Sequence, residues 1–258
     1  MAYVDLNGHK IWVSDTRTAH EPLVLLHGVF GDGGDFDGNL ANLASQFRLV
    51  VPDRRGHGRT PDNSGPLSHH EMARDTIALL ESLHTDPVRV VGYSDGAVVA
   101  LLTALERPDL IERLVLISGV FHPDGWIMTS DHDTVDSMPT EIVERYGRLS
   151  PDGAEHFPVV AHKLADIADE DLGVTEKQLG ELHVRTMVMA ADDDIIHAEH
   201  TLALYRNLSQ GELAIVPGTS HHLLHDKPGL VTGIVAAFLS SDPTKTGIPI
   251  RRASDTPD

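Results

Sequence analysis

Short runs of apolar, β-branched residues alternate along this chain with longer segments in which apolar residues recur at helical spacing. The short runs predict eight strands, at Tyr3–Leu6, Lys10–Ser14, Leu23–His27, Leu49–Pro52, Val88–Val91, Leu114–Ser118, Thr186–Ala190 and Leu213–Val216. The helical spacing predicts helices at Ser68–Leu83, Asp95–Glu106, Glu199–Leu208 and Gly229–Leu239. Strands that alternate with helices are typical of an α/β fold, here a mostly parallel eight-stranded sheet with helices on both faces. The first two strands flank Asn7-Gly8, a hairpin signal, so we expect this pair to be antiparallel.

The alternation stops between residues 120 and 183, where no strand pattern occurs. Polar, helix-like pieces separated by Pro and Gly fill this interval, at Thr140–Leu149, Val159–Ala168 and Glu176–Leu182. An insertion of this length between two strands predicts a short helical lid over the sheet, and the alternative is a crossover helix with long surface loops. We therefore expect one α/β domain over residues 1–240, with 120–183 as its lid insertion. Residues 241–258 are expected to form a flexible C-terminal tail.

The composition of the chain argues against nucleic acids, membranes, metal ions and cofactors as binding partners. The 20 Lys and Arg residues against 39 Asp and Glu residues give a formal net charge of −19, and nucleic-acid binding would require clustered basic residues instead. The chain has no cysteine, no apolar stretch long enough to span a membrane and no N-terminal signal pattern, which predicts a cytoplasmic protein without a membrane partner. Its 17 histidines do not match zinc-ligand spacings, and no dinucleotide-binding glycine pattern occurs. Neither a metal nor a cofactor is expected.

The segment from Gly92 to Gly96 reads Gly-Tyr-Ser-Asp-Gly and lies between a predicted strand and a predicted helix. In that setting Gly-x-Ser-x-Gly forms a nucleophile elbow, a strained turn that raises the serine hydroxyl above the sheet. Glycines suit the flanking positions because a turn this tight presses them against the neighbouring strand and helix. Ser94 is therefore the candidate nucleophile.

A serine hydroxyl needs a base within hydrogen-bonding reach and an acid that orients this base. In an α/β sheet such groups gather at the carboxyl ends of the strands. Asp192, Asp193 and Asp194 follow one predicted strand, and His221 and His222 follow the next. The serine, an aspartate and a histidine thus come after three separate strand ends, which indicates a catalytic triad. The spacing alone does not choose among the three aspartates or between the two histidines.

Together these segments resemble the α/β-hydrolase superfamily over nearly the whole chain, from about Leu23 to Leu239. The matching segments are the loop His27–Gly31, the segment Pro52–Thr60, the elbow, the acidic loop and Pro217–His221. The family's acid usually ends a Gly-x-x-Asp pattern; Asp194 holds that position, although Ala191 replaces the glycine. His221 matches the base in the family's Pro-Gly-x-x-His pattern. The resemblance therefore implies Ser94 as nucleophile, Asp194 as acid and His221 as base.

The resemblance also implies an oxyanion hole formed by the backbone N–H groups of Val29 and Asp95. His27 is expected to support this loop rather than to act as a base. The Ser-Asp-Gly sequence at the elbow is similar to that of the biphenyl-hydrolase-like (valacyclovir hydrolase) branch. Asp95 is then interpreted in one of two ways, as a negative charge that favours cationic substrates or as a side chain bonded away from the pocket.

Four large side chains are candidates to line the substrate pocket: Phe30, Phe121, Trp126 and Met128. The last three begin the insertion and could equally form its own small core. The resemblance implies a cofactor-free serine esterase that acts on small-molecule carboxylic esters, with lactones as a further class. The alternatives are hydrolysis of carbon–carbon bonds, haloperoxidase or perhydrolase chemistry on the same triad, and, as a minor alternative, a small-molecule receptor. The sequence does not indicate the oligomeric state.

Overall fold

A single mixed sheet forms the centre of the molecule. The computed structural model describes residues 1–128 and 132–244, and within them eight strands pair in the order β1-β2-β4-β3-β5-β6-β7-β8. The strands are β1 (Ala2–Leu6), β2 (His9–Asp15), β3 (Pro22–Leu26), β4 (Arg48–Asp53), β5 (Val88–Tyr93), β6 (Ile111–Ile117), β7 (Arg185–Asp193) and β8 (Gly211–Ser220). Strand β2 is antiparallel to both β1 and β4, and the other neighbouring pairs are parallel. The predicted fold class is confirmed.

The described residues also form nine α-helices, most of them between strands. They are α1 (His69–Ser82), α2 (Asp95–Glu106), α3 (His132–Asp136), α4 (Thr140–Leu149), α5 (Phe157–Ala168), α6 (Glu176–Glu181), α7 (Ala198–Asn207), α8 (Leu223–Asp226) and α9 (Pro228–Ser240). Helix α2 has its predicted bounds, whereas α1 begins one residue late because Ser68 is its N-cap and accepts a hydrogen bond from the His70 amide. The predicted C-terminal tail lies outside the described residues from residue 245 onward.

Each face of the sheet carries its own apolar core. Along β3, Val24 and Leu26 pack into the cluster that holds α1, α2 and the helices of the insertion. Leu23 and Leu25 point to the other side, where they join the cluster containing residues of α9. This alternation follows from the two-residue period of a strand, and burial on both faces explains why the parallel strands are apolar throughout.

The turn between β5 and α2 leaves no space for side chains on its two glycines. A Cβ on Gly96 would fall far inside van der Waals distance of the Leu26 and His27 carbonyl oxygens. A Cβ on Gly92 would meet the Cα of Ala97 at 2.6 Å. Helix α2 therefore starts directly against the end of β3, which places the predicted nucleophile beside the predicted oxyanion loop.

Helices α3 to α6 occupy the chain between β6 and β7, where the sequence predicted helices and no strand. Residues 129–131, within the predicted lid insertion, lie outside the described residues. Strands β7 and β8 extend beyond their predicted ends, with a register shift between Ala191 and Asp193. The extension follows from the Asp192 carboxylate, which accepts hydrogen bonds from the Gly218 and Thr219 amides at 2.8 and 2.9 Å.

The close approach at Gly96 makes a testable prediction. Gly96→Ala should lower the free energy of unfolding by about 3 kcal/mol or more, because the new methyl group must displace backbone atoms rather than a flexible side chain. Gly233→Ala is the control, since Gly233 is exposed on α9 and a Cβ there meets nothing within 4 Å. It should be neutral or stabilise the protein by up to about 1 kcal/mol. Denaturant unfolding measures both, and equal effects would contradict the packing argument.

Candidate active site

Ser94 occupies the strained turn that the sequence predicts. Its backbone has φ 55° and ψ −122°, a conformation that non-glycine residues rarely adopt and that costs about 1–3 kcal/mol. The turn is anchored to the sheet, because the Ser94 amide donates to the Ile117 carbonyl at 2.8 Å. The side chain is nearly buried but lines the large cavity above the sheet.

The structure brings the side chains of Ser94, His221 and Asp194 together in one continuous series of hydrogen bonds. The Nε2 atom of His221 lies 2.9 Å from the Ser94 hydroxyl oxygen. The Nδ1 atom of the same ring lies 2.6 Å from Oδ1 of Asp194. The sequence separations are 127 and 27 residues, so the contact depends on strand ends that meet at one edge of the sheet.

Asp194 is held rigidly behind the imidazole. The Ser118 hydroxyl donates to its Oδ2 at 2.6 Å, the Ala191 amide to the same oxygen at 3.1 Å, and the Ile195 amide to Oδ1 at 2.8 Å. Burial alone would raise the pKa of Asp194, but the hydrogen bonds from His221 and Ser118 lower it. The carboxylate therefore stays charged and can orient His221. Sequence analysis did not single out Ser118, whose only signal was its place at the end of a strand.

The alternative triad residues have other positions. Asp192 accepts hydrogen bonds from two amides of β8, as described above, and Asp193 is exposed. His222 lines the cavity, but its ring centre lies 6.1 Å from that of His221, which alone of the two contacts Ser94. Among the three aspartates and two histidines, the geometry favours Asp194 and His221.

The peptide group that joins Gly28 to Val29 is fixed through its carbonyl oxygen. This oxygen accepts from Nδ1 of His27 at 2.8 Å, from the Arg54 guanidinium at 3.1 Å and from the Gly31 amide at 3.3 Å. Because a peptide group is planar and trans, fixing the oxygen also fixes the direction of the Val29 N–H. Val29 lines the cavity next to Ser94, and a Cβ on Gly28 would lie 3.4 Å from Cβ of Ser94.

His27 supports this loop, as expected from its position. It is fully buried, and burial together with the Arg54 charge lowers its pKa well below the usual value. The ring is therefore neutral. Its Nδ1–H donates to the Gly28 carbonyl, while Nε2 accepts the Arg54 amide at 3.0 Å.

The side chain of Asp95 lies within a buried charged network. One of its oxygens pairs with Arg54 and the other lies 2.6 Å from Nε2 of His69. Burial would raise the pKa of Asp95, but the two cations hold it well below the usual range. Burial would likewise lower the pKa of His69, but the facing carboxylates of Asp95 and Glu170 raise it to about 9. Two cations thus neutralise Asp95, which supports the interpretation that its side chain is bonded away from substrate.

Arg54 connects the two halves of the predicted oxyanion hole. It donates to the carbonyls of His27 and Gly28 on one side and pairs with Asp95 on the other. Asp95 is also the first residue of α2, so its backbone N–H belongs to those without an acceptor inside the helix. One guanidinium therefore contacts both the Gly28–Val29 peptide and the side chain of the residue that carries the second predicted donor. Neither Arg54 nor His69 was recognised from the sequence.

A cavity of about 590 Å³ opens above Ser94 and His221. Three of the candidate pocket residues, Phe30, Trp126 and Met128, lie in its walls. For Phe121 the structure favours the second alternative, a core position, because its ring stacks on that of His200 with centres 4.3 Å apart and does not line the cavity. The cavity is mostly apolar, which suits a small organic substrate.

The insertion is tied to the loop after β3 by one arginine. Arg145 of α4 places Nε 2.6 Å from Asp32 and Nη2 2.7 Å from Asp35. Arg145 and Asp35 both line the cavity. Helix α4 is thereby held beside the predicted nucleophile.

The described residues show neither a metal-ligand cluster nor a membrane-spanning helix. Within residues 1–128 and 132–244, no group of three or more His, Cys, Asp or Glu side chains is arranged to hold a metal ion. Among the helices of these same segments, none is long and apolar enough to cross a membrane.

The comparisons with known proteins agree on one protein family. A model described as the alpha/beta hydrolase family matches residues 23–233. The chain is 37% identical over 249 residues to the sn-1-specific diacylglycerol lipase ABHD11 of Mus musculus, a match that covers 84% of this chain and 80% of that protein. The match to the Danio rerio protein of the same name is 36% identical but spans only 41% of this chain and 33% of that protein.

Two other similarities extend over nearly the full length. The chain is 27% identical to the putative carbamate hydrolase RutD of Rhizobium rhizogenes, over 86% of this chain and 94% of that one. Among solved structures, MGS-M2, an alpha/beta hydrolase enzyme from a deep-sea metagenome library, superposes with a TM-score of 0.79. It covers 96% of this chain and 100% of its own at 18% identity, a level at which the likeness concerns the fold alone.

The hydrogen bonds that join Ser94, His221 and Asp194 predict the rate at which a fluorophosphonate probe labels Ser94. Asp194→Asn should slow labelling on the order of 10³-fold or more, because the carboxylate orients the ring of His221 and stabilises its cation. Asp192→Asn is the matched control and should label at close to the wild-type rate, since Oδ1 and Oδ2 of Asp192 each accept from one amide of β8 and contact neither Ser94 nor His221. Gel fluorescence over time measures both rates. A slower rate in Asp192→Asn than in Asp194→Asn would reverse the choice of acid.

Proposed function

Because the chain belongs to the alpha/beta hydrolase family, we propose that it is a serine hydrolase that cleaves small-molecule carboxylic esters through an acyl-enzyme on Ser94. The observation that carries this proposal is the contact series from Ser94 to His221 to Asp194 at the floor of a mostly apolar cavity. Lactones are a further substrate class of the proposal, since they present the same acyl carbon. The proposed location is the cytoplasm.

The proposed acylation step uses the contacts of Ser94, His221 and Asp194. The Ser94 oxygen attacks the acyl carbon while Nε2 of His221, 2.9 Å away, takes the hydroxyl proton. Asp194 stabilises the resulting imidazolium through the contact of 2.6 Å at Nδ1. The carbon–oxygen bond to the leaving alcohol then breaks, and His221 delivers the proton to that alcohol.

Deacylation repeats the same steps with water as the nucleophile. His221 removes a proton from a water molecule as its oxygen attacks the acyl carbon of the Ser94 ester. The bond to Ser94 breaks, the serine oxygen recovers the proton, and the carboxylic acid leaves. The nucleophile, the base and the oxyanion donors all come from the chain, so the proposed reaction needs no cofactor.

In both steps the developing oxyanion is proposed to lie between the N–H groups of Val29 and Asp95. Donors of this kind help only when they already point at the site where charge appears. The hydrogen bonds of Arg54 support this orientation, because they hold the carbonyl of the Gly28–Val29 peptide and the side chain of Asp95. Arg54 acts through the Gly28–Val29 peptide and the Asp95 side chain and is therefore a positioning residue.

The proposal predicts turnover of p-nitrophenyl acetate that depends on Ser94. Ser94→Ala should reduce kcat by about 10⁴-fold or more, because the covalent intermediate cannot form. Ser45→Ala, at an exposed serine of the loop before β4, is the control and should retain full activity. A stopped assay at a fixed pH measures both.

Two outcomes would contradict ester hydrolysis as the main activity. One is faster cleavage of a vinylogous diketone than of the ester, which would favour carbon–carbon bond hydrolysis. The other is a protein that binds small molecules tightly but neither turns over esters nor reacts with a fluorophosphonate, which would favour a receptor.

The role of Arg54 predicts a selective loss in kcat. Arg54→Lys keeps the charge beside Asp95 but cannot hold both loop carbonyls, so kcat should fall about 10–100-fold with little change in KM. Arg55→Lys is the matched control, because Arg55 is a neighbouring arginine that pairs with Asp75 and contacts neither peptide group. Steady-state kinetics and thermal unfolding of both variants separate positioning from stability. Equal losses of kcat in the two variants would contradict the positioning role.

A further inference from the structure

The cavity has two different sides around Ser94. On one side stands His221, with the ring of Trp126 at 6.3 Å and the ring of His222 at 6.1 Å from its own ring, measured between ring centres. All three of these residues line the cavity. The other side lies beyond Asp95, the residue that follows Ser94, and its wall comes from α2 and from the insertion.

Two contacts place the end of α5 on the Asp95 side. One oxygen of Asp95 lies 2.6 Å from Nε2 of His69, and Nδ1 of His69 lies 3.5 Å from Oε2 of Glu170. Both atoms of the second contact are closed to solvent, so it is a structural tie between α1 and the insertion. Glu170 stands between Ala168 and Leu172, which both line the cavity. These two side chains therefore belong to the wall beside Asp95.

The wall on this side is apolar. Besides Ala168 and Leu172 it includes Leu164 of α5 and Val98, which lies one helical turn beyond Ser94 on α2. Val98, Leu164 and Leu172 are at most 4% exposed and belong to the same core cluster. Leu164 and Ala168 are four residues apart in α5 and so lie on one face of that helix. Together the four side chains form what we call the acyl wall.

The proposed mechanism fixes which half of an ester meets the acyl wall. When the Ser94 oxygen has attacked, the reacting carbon also carries the oxyanion, the oxygen of the leaving alcohol and the acyl chain. The alcohol oxygen must lie near Nε2 of His221, because this atom delivers its proton. The oxyanion is proposed to lie between the N–H groups of Val29 and Asp95. The alcohol therefore occupies the side of His221, and the acyl chain extends along the remaining direction, toward the acyl wall.

The size of the cavity indicates how long this chain is. Its volume of about 590 Å³ has room for about 20 groups of the size of a water molecule, and a methylene group has about that size. An acetyl group would leave most of the acyl side filled with water and would gain little from the apolar side chains there. A chain of about eight to ten carbons fills half of this space and leaves the rest for the alcohol.

We propose that the substrates are esters of straight-chain fatty acids of medium length, and that the acyl wall binds their alkyl chain. Ala168 is the smallest of the four side chains of the wall and keeps the path open between Leu164 and Leu172. It is therefore the residue that sets the length of chain the cavity accepts. This inference rests on the proposed ester hydrolysis and names its acyl group.

The first test measures kcat/KM of the wild-type protein on p-nitrophenyl esters of straight-chain acids, from acetate to palmitate. The leaving group is constant, so the series reports the acyl side alone. Each added methylene should raise kcat/KM about threefold until the acyl wall is covered, with an optimum at about eight to ten carbons. The p-nitrophenyl monoester of the dicarboxylic acid of the optimal length should react about 100-fold more slowly, because its charged end loses hydration against an apolar wall.

The second test changes the acyl wall. Ala168→Phe should shift the optimum to shorter acids and lower the ratio of kcat/KM at the wild-type optimum to kcat/KM on the acetate by about tenfold or more, because the ring occupies the space of several methylenes. Ala168→Leu makes a smaller change at the same place and should shift the optimum in the same direction, so the test stands even where the larger ring prevents folding. Ala237→Phe is the matched control, since Ala237 is exposed on α9 and absent from the cavity wall. Its profile of chain lengths should equal that of the wild type.

The outcomes separate this inference from the proposed function. Ester turnover through Ser94 with an optimum at acetate or butyrate would overturn the inference and leave the hydrolase proposal standing. The same chain-length profile in the Ala168 variants as in Ala237→Phe would also overturn it. So would a change in Ala168→Phe that appears with acetates of straight-chain alcohols and not with the acyl series, because the alcohol would then meet this wall. A protein that hydrolyses none of these esters through Ser94 would instead contradict the proposed function.

Discussion

Backbone packs directly against backbone at the turn between β5 and α2, and the positions of the reactive groups follow from that contact. Gly92 and Gly96 leave no space for a Cβ, so the first turn of α2 meets the end of β3. The positive φ of Ser94 is maintained because the strand before it and the helix after it are both buried. The strain at the candidate nucleophile is therefore balanced by the two cores of the sheet, and the site forms only when both faces are packed.

A buried network of charges lies immediately behind this turn. Such a network is costly to desolvate, and removing one member leaves its partners uncompensated. In this protein the network also fixes the structure of the site, because Arg54 links the loop carbonyls of His27 and Gly28 to Asp95. His69 neutralises the second oxygen of Asp95 and extends the network to the cavity wall. The same contacts thus fix the loop that carries the Val29 N–H and hold the Asp95 side chain in place beside the candidate nucleophile.

The sheet and the series from Ser94 to Asp194 could be predicted because their signals are local. Strand runs and the residues that follow them appear in the sequence, and parallel strands bring their carboxyl ends to one edge. The partners of these residues could not be predicted, since Ser118 and Arg54 act through contacts between distant segments. The choice between cavity and core for Phe121 stayed open for a related reason, since it is stacking on the distant His200 that places its ring in the core. Side-chain direction in a long insertion depends on packing that no sequence period reports.

The pairing of Arg145 with Asp32 and Asp35 has a consequence for entry into the cavity. Helix α4 cannot swing outward without separating one guanidinium from two carboxylates and without removing Tyr146 from its contact with Phe157. Arg145 is partly exposed, and dissolved salt therefore weakens its attraction to the two aspartates. A rise in ionic strength thus loosens the tie between α4 and the loop after β3, while the apolar contact of Tyr146 with Phe157 is retained.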